Sequence, residues 1–395
     1  MNDGQTNRED WSNEDLAPES EWAESEDTGS EDEDAGGSGD VVGDESITKP
    51  FDPTLIRVEP KILTIDLLVS RMREDEIDLM PAFQRRSDIW KESAQSRLIE
   101  SILIRIPLPA FYMDATNEDR WLVVDGLQRL STLKRFMIDK DLKLTGLEFL
   151  TQFNGKGYDD LPRTFQRRIV ETQVTVFLIE KGTPPEVKFN IFKRINTGGL
   201  PLSPQEIRHA LNQGPATDML ERLAASEAFK KATLGGVNPK RMDDRECVLR
   251  FLSFAVMPYT AYKAKELDIF LNEMMARINR MIPDERDDLE QRFIRAMGAA
   301  HSVLGSDAFR KRYQFGAARH PINKALFEAW SVNLDKLNDV LLNRLKAKRG
   351  EVIERFVELM NDRDFDSSVS SGTGDIKKVT KRFRAIENLL KEVLA

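Results

Sequence analysis

One cysteine, Cys247, and three histidines, His209, His301 and His320, are all that the 395 residues offer as thiolate or imidazole ligands. A lone thiol excludes an internal disulfide and any multi-thiolate zinc site, and scattered imidazoles argue against a histidine-built metal centre. Magnesium held by carboxylates and phosphates needs neither and stays open; the metal ligands themselves are not legible. Long apolar runs are also missing: no stretch of about 18 uninterrupted apolar residues occurs, so no membrane span is expected. The N-terminus reads MNDGQTNRED instead of a basic and then apolar leader. The sequence therefore predicts no signal peptide and a cytoplasmic location.

What is present is charge, unevenly placed. Residues 1–50 hold 17 Asp and Glu against 2 Lys and Arg, a net of -15, whereas the rest of the chain is mildly basic at +6. An acidic, Ser/Gly-rich stretch such as ESEWAESEDTGSEDEDAGGSGD buries too little apolar surface to offset its ordering entropy, so 1–50 reads as a disordered tail. It serves as a solubilising extension or, on a sharper reading, competes with nucleic acid for the basic body. The remaining residues are enough for a substantial core in two or three units.

From 51 to 182 short β-patterned runs alternate with helical ones, which predicts an α+β domain. TIDLLVSRM reads as a helix, IDLMPAFQR as a strand and turn, and KESAQSRLIESILIR as an amphipathic helix. PAFYMD and RWLVVD read as strands, the segment from Gly126 to about Asp139 as a helix, LPRTFQRRIVE as a helix, and TQVTVFLIE as the clearest strand. From 183 to 395 the pattern is helical almost without interruption: Glu186 to Asn196, Ser203 to Asn212, Thr217 to Ala228, Asp243 to Met257, Ala264 to Met281 and onward. Ser203, Pro204 and Glu206 spell a capped helix start. NDRDFDSSVSSGTGD, near 361–375, reads as a surface loop ahead of a final basic helix.

Four constellations carry chemistry. In WLVVDGLQRLSTLKRFMID a strand ends at Asp125-Gly126 and turns at once into a helix, which aims that helix's first backbone N–H groups at the corner and favours an anion there. Arg129 adds a charge suited to phosphate, while Ser131 and Thr132 can donate to oxygens or contact a metal ion. Asp125 can hold a metal ion, orient Arg129 or act as a base; equally, Asp-Gly is an ordinary turn and Leu127, Leu130, Leu133 and Met137 a core stripe. In PAFQRRSDIW, Gln84, Arg85 and Arg86 suit phosphate or nucleic acid, against the simpler account of a solvated basic turn. In FKRINTGGLPLSPQEIRHAL, Asn196, Thr197, Gly198 and Gly199 end a helix in a tight loop beside Arg194 that can cradle phosphate or a partner strand. Capping explains the glycines but not the gathering of Arg194, Asn196, Glu206 and Arg208. In RMDDRECVLRFLSF, first-turn acids compensating a helix dipole are the stronger account.

Taken together and in this order, FQRRSDIW, VVDGLQRLSTL, FKRINTGGLPLSPQEIRHAL and DDRECVLRFLSF resemble the N-terminal domain of GmrSD-type, modification-dependent restriction endonucleases, over roughly Ile62 to Phe254. The resemblance implies a ParB/sulfiredoxin-like fold with an Asp-Gly-Gln-Gln-Arg motif at the nucleotide site, and nucleoside triphosphate binding and hydrolysis that control DNA cleavage in phage defence. The motif falls on Asp125, Gly126, Gln128 and Arg129, with Leu127 where the family usually has glutamine. Restriction members also carry a His-Asn-His nuclease domain, in the same chain or in a separate subunit; AAHSVL and AARHPIN around His301 and His320 do not carry that arrangement.

The expectation is a ParB-like α+β domain followed by an all-helical region, binding a nucleoside triphosphate with Mg2+, with or without hydrolysing it, as the sensor of a DNA-targeting defence system. Asp125, Gln128 and Arg129 are its catalytic candidates. Gln84, Arg85, Arg86, Gly126, Ser131, Thr132, Arg194, Asn196, Thr197, Gly198 and Gly199 are its nucleotide-binding candidates. Nucleotide, DNA and a separate nuclease subunit are the expected partners. Two other readings stand beside it: a metal-dependent nuclease using the α+β domain itself, and a non-catalytic interaction module.

Overall fold

The computed structural model describes residues 57–79, 90–195, 202–264 and 266–395, and it shows a mixed α/β chain with one small sheet and many helices. The acidic tail lies outside the described residues, as do Gln84, Arg85 and Arg86 and the loop residues Asn196, Thr197, Gly198 and Gly199.

The chain enters on β1 (Val58–Thr64), whose last residue caps α1 (Ile65–Arg73): the Thr64 hydroxyl accepts from the Leu67 N–H at 3.3 Å. Next come β2 (Ile77–Asp78), α2 (Glu92–Leu103), β3 (Phe111–Asp114), β4 (Trp121–Asp125), α3 (Leu127–Lys134), α4 (Arg163–Glu171) and β5 (Gln173–Ile179). α3 runs directly into a wider π-type turn, Arg135–Asp139, which ends at Lys140 in the left-handed region. The five strands form one sheet in the order β1-β5-β3-β4-β2, with β3 parallel to β5 and antiparallel to β4, and β2 parallel to β4.

β1 has no counterpart in the sequence reading, and the reason is physical. It is an edge strand, paired only with β5, and its VEPKILT sequence places Pro60 and exposed charges where a central strand needs apolar residues. β4 sits inside the sheet and alternates cleanly. Trp121 and Val123 join a cluster with Ile65, Leu68, Ile99, Leu130 and Leu133 from α1, α2 and α3, whereas Leu122 and Val124 face the opposite side. That second face is covered by α5 (Pro185–Ile195) and α6 (Pro204–Leu211), through Phe189, Phe192 and Ile207. The sheet is therefore buried on both sides, which explains why its inner strands read as nearly continuous hydrophobic runs.

Beyond α6 lie α7 (Pro215–Ala225), α8 (Glu227–Thr233), α9 (Asp243–Val256), α10 (Leu267–Arg280), α11 (Pro283–Leu304), α12 (Lys324–Asp335), α13 (Asp339–Ala347), α14 (Arg349–Met360), α15 (Arg363–Ser370) and α16 (Ile376–Leu394). They share a separate core built around fully buried Trp330, Phe251, Phe254 and Phe293. α15 corrects the surface loop expected near 361–375. Asp362 caps it by accepting from the Phe365 N–H at 2.7 Å, and Phe365 and Val369 are fully buried. Its Ser and Asp content disguised a short helix that tertiary burial holds in place. Among the described residues, no helix is long and apolar enough to cross a membrane.

Candidate functional site

Strand β4 ends at Asp125, opposite Tyr112 on β3, and the chain reverses at Gly126 with φ at 99°. An L side chain is strained there, and a Cβ at this position would also drive into the Phe111 ring. Glycine is thus demanded by conformation and by space together. The Leu130 N–H donates to the Gly126 carbonyl at 2.9 Å, so α3 begins immediately after the reversal and the first backbone N–H groups of the helix belong to the corner.

Arg129 does not reach outward from this corner. Its guanidinium lies over the Phe111 ring at 4.5 Å and donates to the carbonyls of Pro109 and Ala110, the latter at 3.1 Å, and to Asp125 Oδ2 at 2.9 Å. It is 8% exposed, whereas the Asp125 side chain keeps 36% of its surface. Burial pulls the Arg129 pKa down from its ordinary value, and the Asp125 carboxylate opposes that. The pair therefore has a direction. The arginine is a brace locked into the loop before β3, and the carboxylate is the group it presents to solvent.

The neighbouring candidates divide in the same way. Thr132 is fully buried and donates to the Gln128 carbonyl at 2.7 Å, and Ser131 is buried on the same helix. Gln128 is half-buried at the first turn of α3. Arg194, near the end of α5, is exposed. β2 runs parallel beside β4, with Asp78 paired to Leu122, so β2 points toward the end of the sheet at which Asp125 lies.

Two clusters escaped sequence reasoning. Lys188, in the first turns of α5, pairs with Asp114 at the end of β3 at 3.0 Å, both side chains being about nine-tenths buried, and also donates to Thr116. A sequence separation of 74 residues, with two strands and two helices in between, hides that pairing from any local motif.

The larger cluster joins α6 to the helical region. Arg208, wholly buried, donates to Gln205 at 2.8 Å and to Asp268 at 2.6 Å, and lies 3.5 Å from Glu246 on α9. Glu246 also meets Arg250 at 2.8 Å and Lys324 at 3.3 Å, while Glu328 is shared by Arg250 and Arg382. Burial pushes the Glu246 carboxyl up, but Lys324, Arg250 and Arg208 outweigh it and hold the group well below the usual carboxylate range. Lys324 is the mirror case: burial opposes its charge, yet Glu246 and Asp243 keep it above its ordinary value. Asp243 is thus tied to Lys324 at 2.8 Å, a role more specific than dipole compensation at the start of α9.

The gathering of Glu206 and Arg208 has a structural account. Ser203 and Glu206 close a reciprocal cap, and the Ser203 hydroxyl donates to the Arg241 carbonyl at 2.8 Å. Among the described residues, no three His, Cys, Asp or Glu side chains converge to hold a metal ion. His301 is exposed on α11, and His320 lies in the loop before α12 with its ring against Tyr313.

No curated protein matches the chain. Residues 66–212 match the family model of the GmrSD restriction endonuclease, N-terminal domain, a span that begins in α1, contains the Asp125 corner and closes just after α6. Over residues 66–212 this chain is therefore similar to the N-terminal domain of the GmrSD restriction endonuclease.

Proposed function

We propose that the protein is the nucleotide-responsive component of a restriction-type, DNA-targeting defence system, with Asp125 as the working group of its site. One observation carries this reading: a half-exposed carboxylate held by a buried arginine at a strand-to-helix corner that only glycine can make. Such a corner combines the start of a helix, where anions are favoured, with a fixed acid beside it. The small mixed sheet with this corner on an inner strand supports a ParB/sulfiredoxin-like assignment for the domain.

A nucleoside triphosphate bound here would direct its phosphates to the start of α3. A magnesium ion would fit, since it is satisfied by one or two carboxylates plus phosphate oxygens and waters; Asp125 would hold it, and the ion would supply charge neutralisation at the phosphates. Asp125 and the half-buried Gln128 are placed to orient a water at the same corner. Arg129 acts through Asp125 and is a positioning residue, because its donors are engaged by Pro109, Ala110 and Asp125. The arginine and glycine candidates at 84–86 and 196–199 would add phosphate contacts. The α6–α9 charge network is the route by which the site's state would reach the helical region, where DNA or a nuclease subunit would read it.

The test is calorimetric binding and phosphate release with each ribonucleoside triphosphate and magnesium, with and without DNA, for the full chain and for Asp125→Asn. Binding or turnover in the parent that is lost in a folded Asp125→Asn supports the reading. No response from the parent to any triphosphate sinks it. Magnesium-dependent nicking of DNA that disappears in Asp125→Asn replaces it with a nuclease.

A further inference from the structure

The final helix, α16, is anchored along one side by Val379, Phe383, Ile386, Leu390 and Val393, all buried. Its outer side is different. Lys377, Lys381 and Arg384 fall at i, i+4 and i+7, one face of a helix, and are exposed. Together with Ile376 and Ala385 they line a shallow groove of about 500 Å³ whose lining contains three cations and no carboxylate. Lys381 does pair with Asp364 at 2.8 Å, but that aspartate is 82% exposed, and an exposed pair of this kind exchanges readily for another anion.

The chain carries its own complement to this face. Residues 1–50 hold a net charge of -15, and three of their large apolar residues, Trp11, Leu16 and Trp22, are set among acids in EDWSNEDLAPESEWAESED. Fifty-six residues precede Arg57, a length that in a generic Gly-rich polymer corresponds to roughly 40 Å end to end and to far more at full extension. Tethering sets an effective concentration on the order of millimolar, at which a few charge pairs and one apolar contact suffice for binding. We propose that the acidic N-terminal segment docks on the basic face of α16, its acids against Lys377, Lys381 and Arg384 and a tryptophan over Ile376 and Ala385. The segment then occupies the face that a nucleic-acid backbone would otherwise contact. This inference does not depend on the nucleotide reading of the Asp125 corner.

Cross-linking in the full chain tests it. The native thiol is silent, since Cys247 is fully buried and burial pushes its pKa far up. Ala23→Cys is paired with Asn388→Cys at the end of the groove or, as a control, with Glu118→Cys on the exposed β3–β4 connection, and a short bis-maleimide is added. The expected result is a several-fold higher yield for 23–388 than for 23–118, abolished by Lys377→Glu/Lys381→Glu/Arg384→Glu and by about 0.5 M salt. A 23–388 yield no greater than the control, or one that charge reversal leaves unchanged, overturns the proposal. So does a face that takes up a DNA oligonucleotide but gives no cross-link, because it is then a nucleic-acid surface without an internal occupant.

Discussion

Asp125 and Arg129 touch through one oxygen, yet substituting them is expected to have opposite consequences. Arg129→Ala strands the Pro109 and Ala110 carbonyls and empties the space over Phe111, so it should cost about 3 kcal/mol and lower the melting temperature by several degrees. Arg129→Lys should recover little of that, since a single ammonium cannot replace a fork spanning two carbonyls and a carboxylate. Asp125→Asn keeps size and an acceptor on a side chain 36% exposed and should cost within about 1 kcal/mol while removing the ligand response. Denaturation curves of the three variants separate the brace from the working group; equal loss in all of them would make the whole corner structural. Gly126→Ala must strain the backbone at φ 99° and displace the Phe111 ring, a cost on the order of 2–3 kcal/mol that a urea midpoint will show.

At the scale of elements, α5 and α6 hold the sheet and the helical region together, and they do so with buried charge as much as with apolar contact. Glu246→Gln leaves Arg208, Arg250 and Lys324 facing a neutral amide, and the expected loss is about 3–5 kcal/mol. Removing an exposed pair such as Glu227 with Lys230 should cost less than about 1 kcal/mol. If chemical denaturation finds the two substitutions equivalent, the network does not stabilise the junction. Arg208 lies within the span matched by the family model and Glu246 beyond it, so on the proposed reading Glu246→Gln should also weaken the effect of nucleotide on the helical region before it weakens binding at Asp125.

For the whole molecule the network predicts acid sensitivity, and His209 sets its first step. Burial, then Arg245, hold its imidazole at about 4 against an ordinary 6.5, with Asp218 opposing. The unfolded chain therefore takes up that proton first as pH falls. The stability due to neutral His209 is complete above the unfolded value and is lost as pH drops toward the folded one. Between about pH 7 and about pH 5 this amounts to roughly 2 kcal/mol, and His209→Gln should flatten the decline over that window. The carboxylate contribution of Glu246, whose folded pKa is depressed, is lost only below its ordinary value of 4.5, so the two steps separate on the pH axis. Urea midpoints across that range check it; identical slopes in parent and variant would remove His209 from the account.

The sequence by itself determined what depends on neighbours in the chain. Short apolar, β-branched-rich runs announce β4 and β5, Ser203 and Glu206 announce the start of α6, and Asp125-Gly126 announces a strand turning into a helix, because each is a local competition between backbone conformations. Three of the four ordered motifs lie within residues 66–212, the span that matches the family model, and DDRECVLRFLSF lies beyond it. Tertiary structure decided the rest. It paired β1 onto the edge of the sheet, where Pro60 is tolerated, held α15 as a helix despite its Ser and Asp content, and turned Arg129 inward onto two carbonyls. It also gathered Arg208, Glu246, Lys324 and Glu328 from three helices into one buried network. A side chain's direction and a charge's partners depend on which distant surfaces exclude water around it, and that exclusion exists only once the chain has folded.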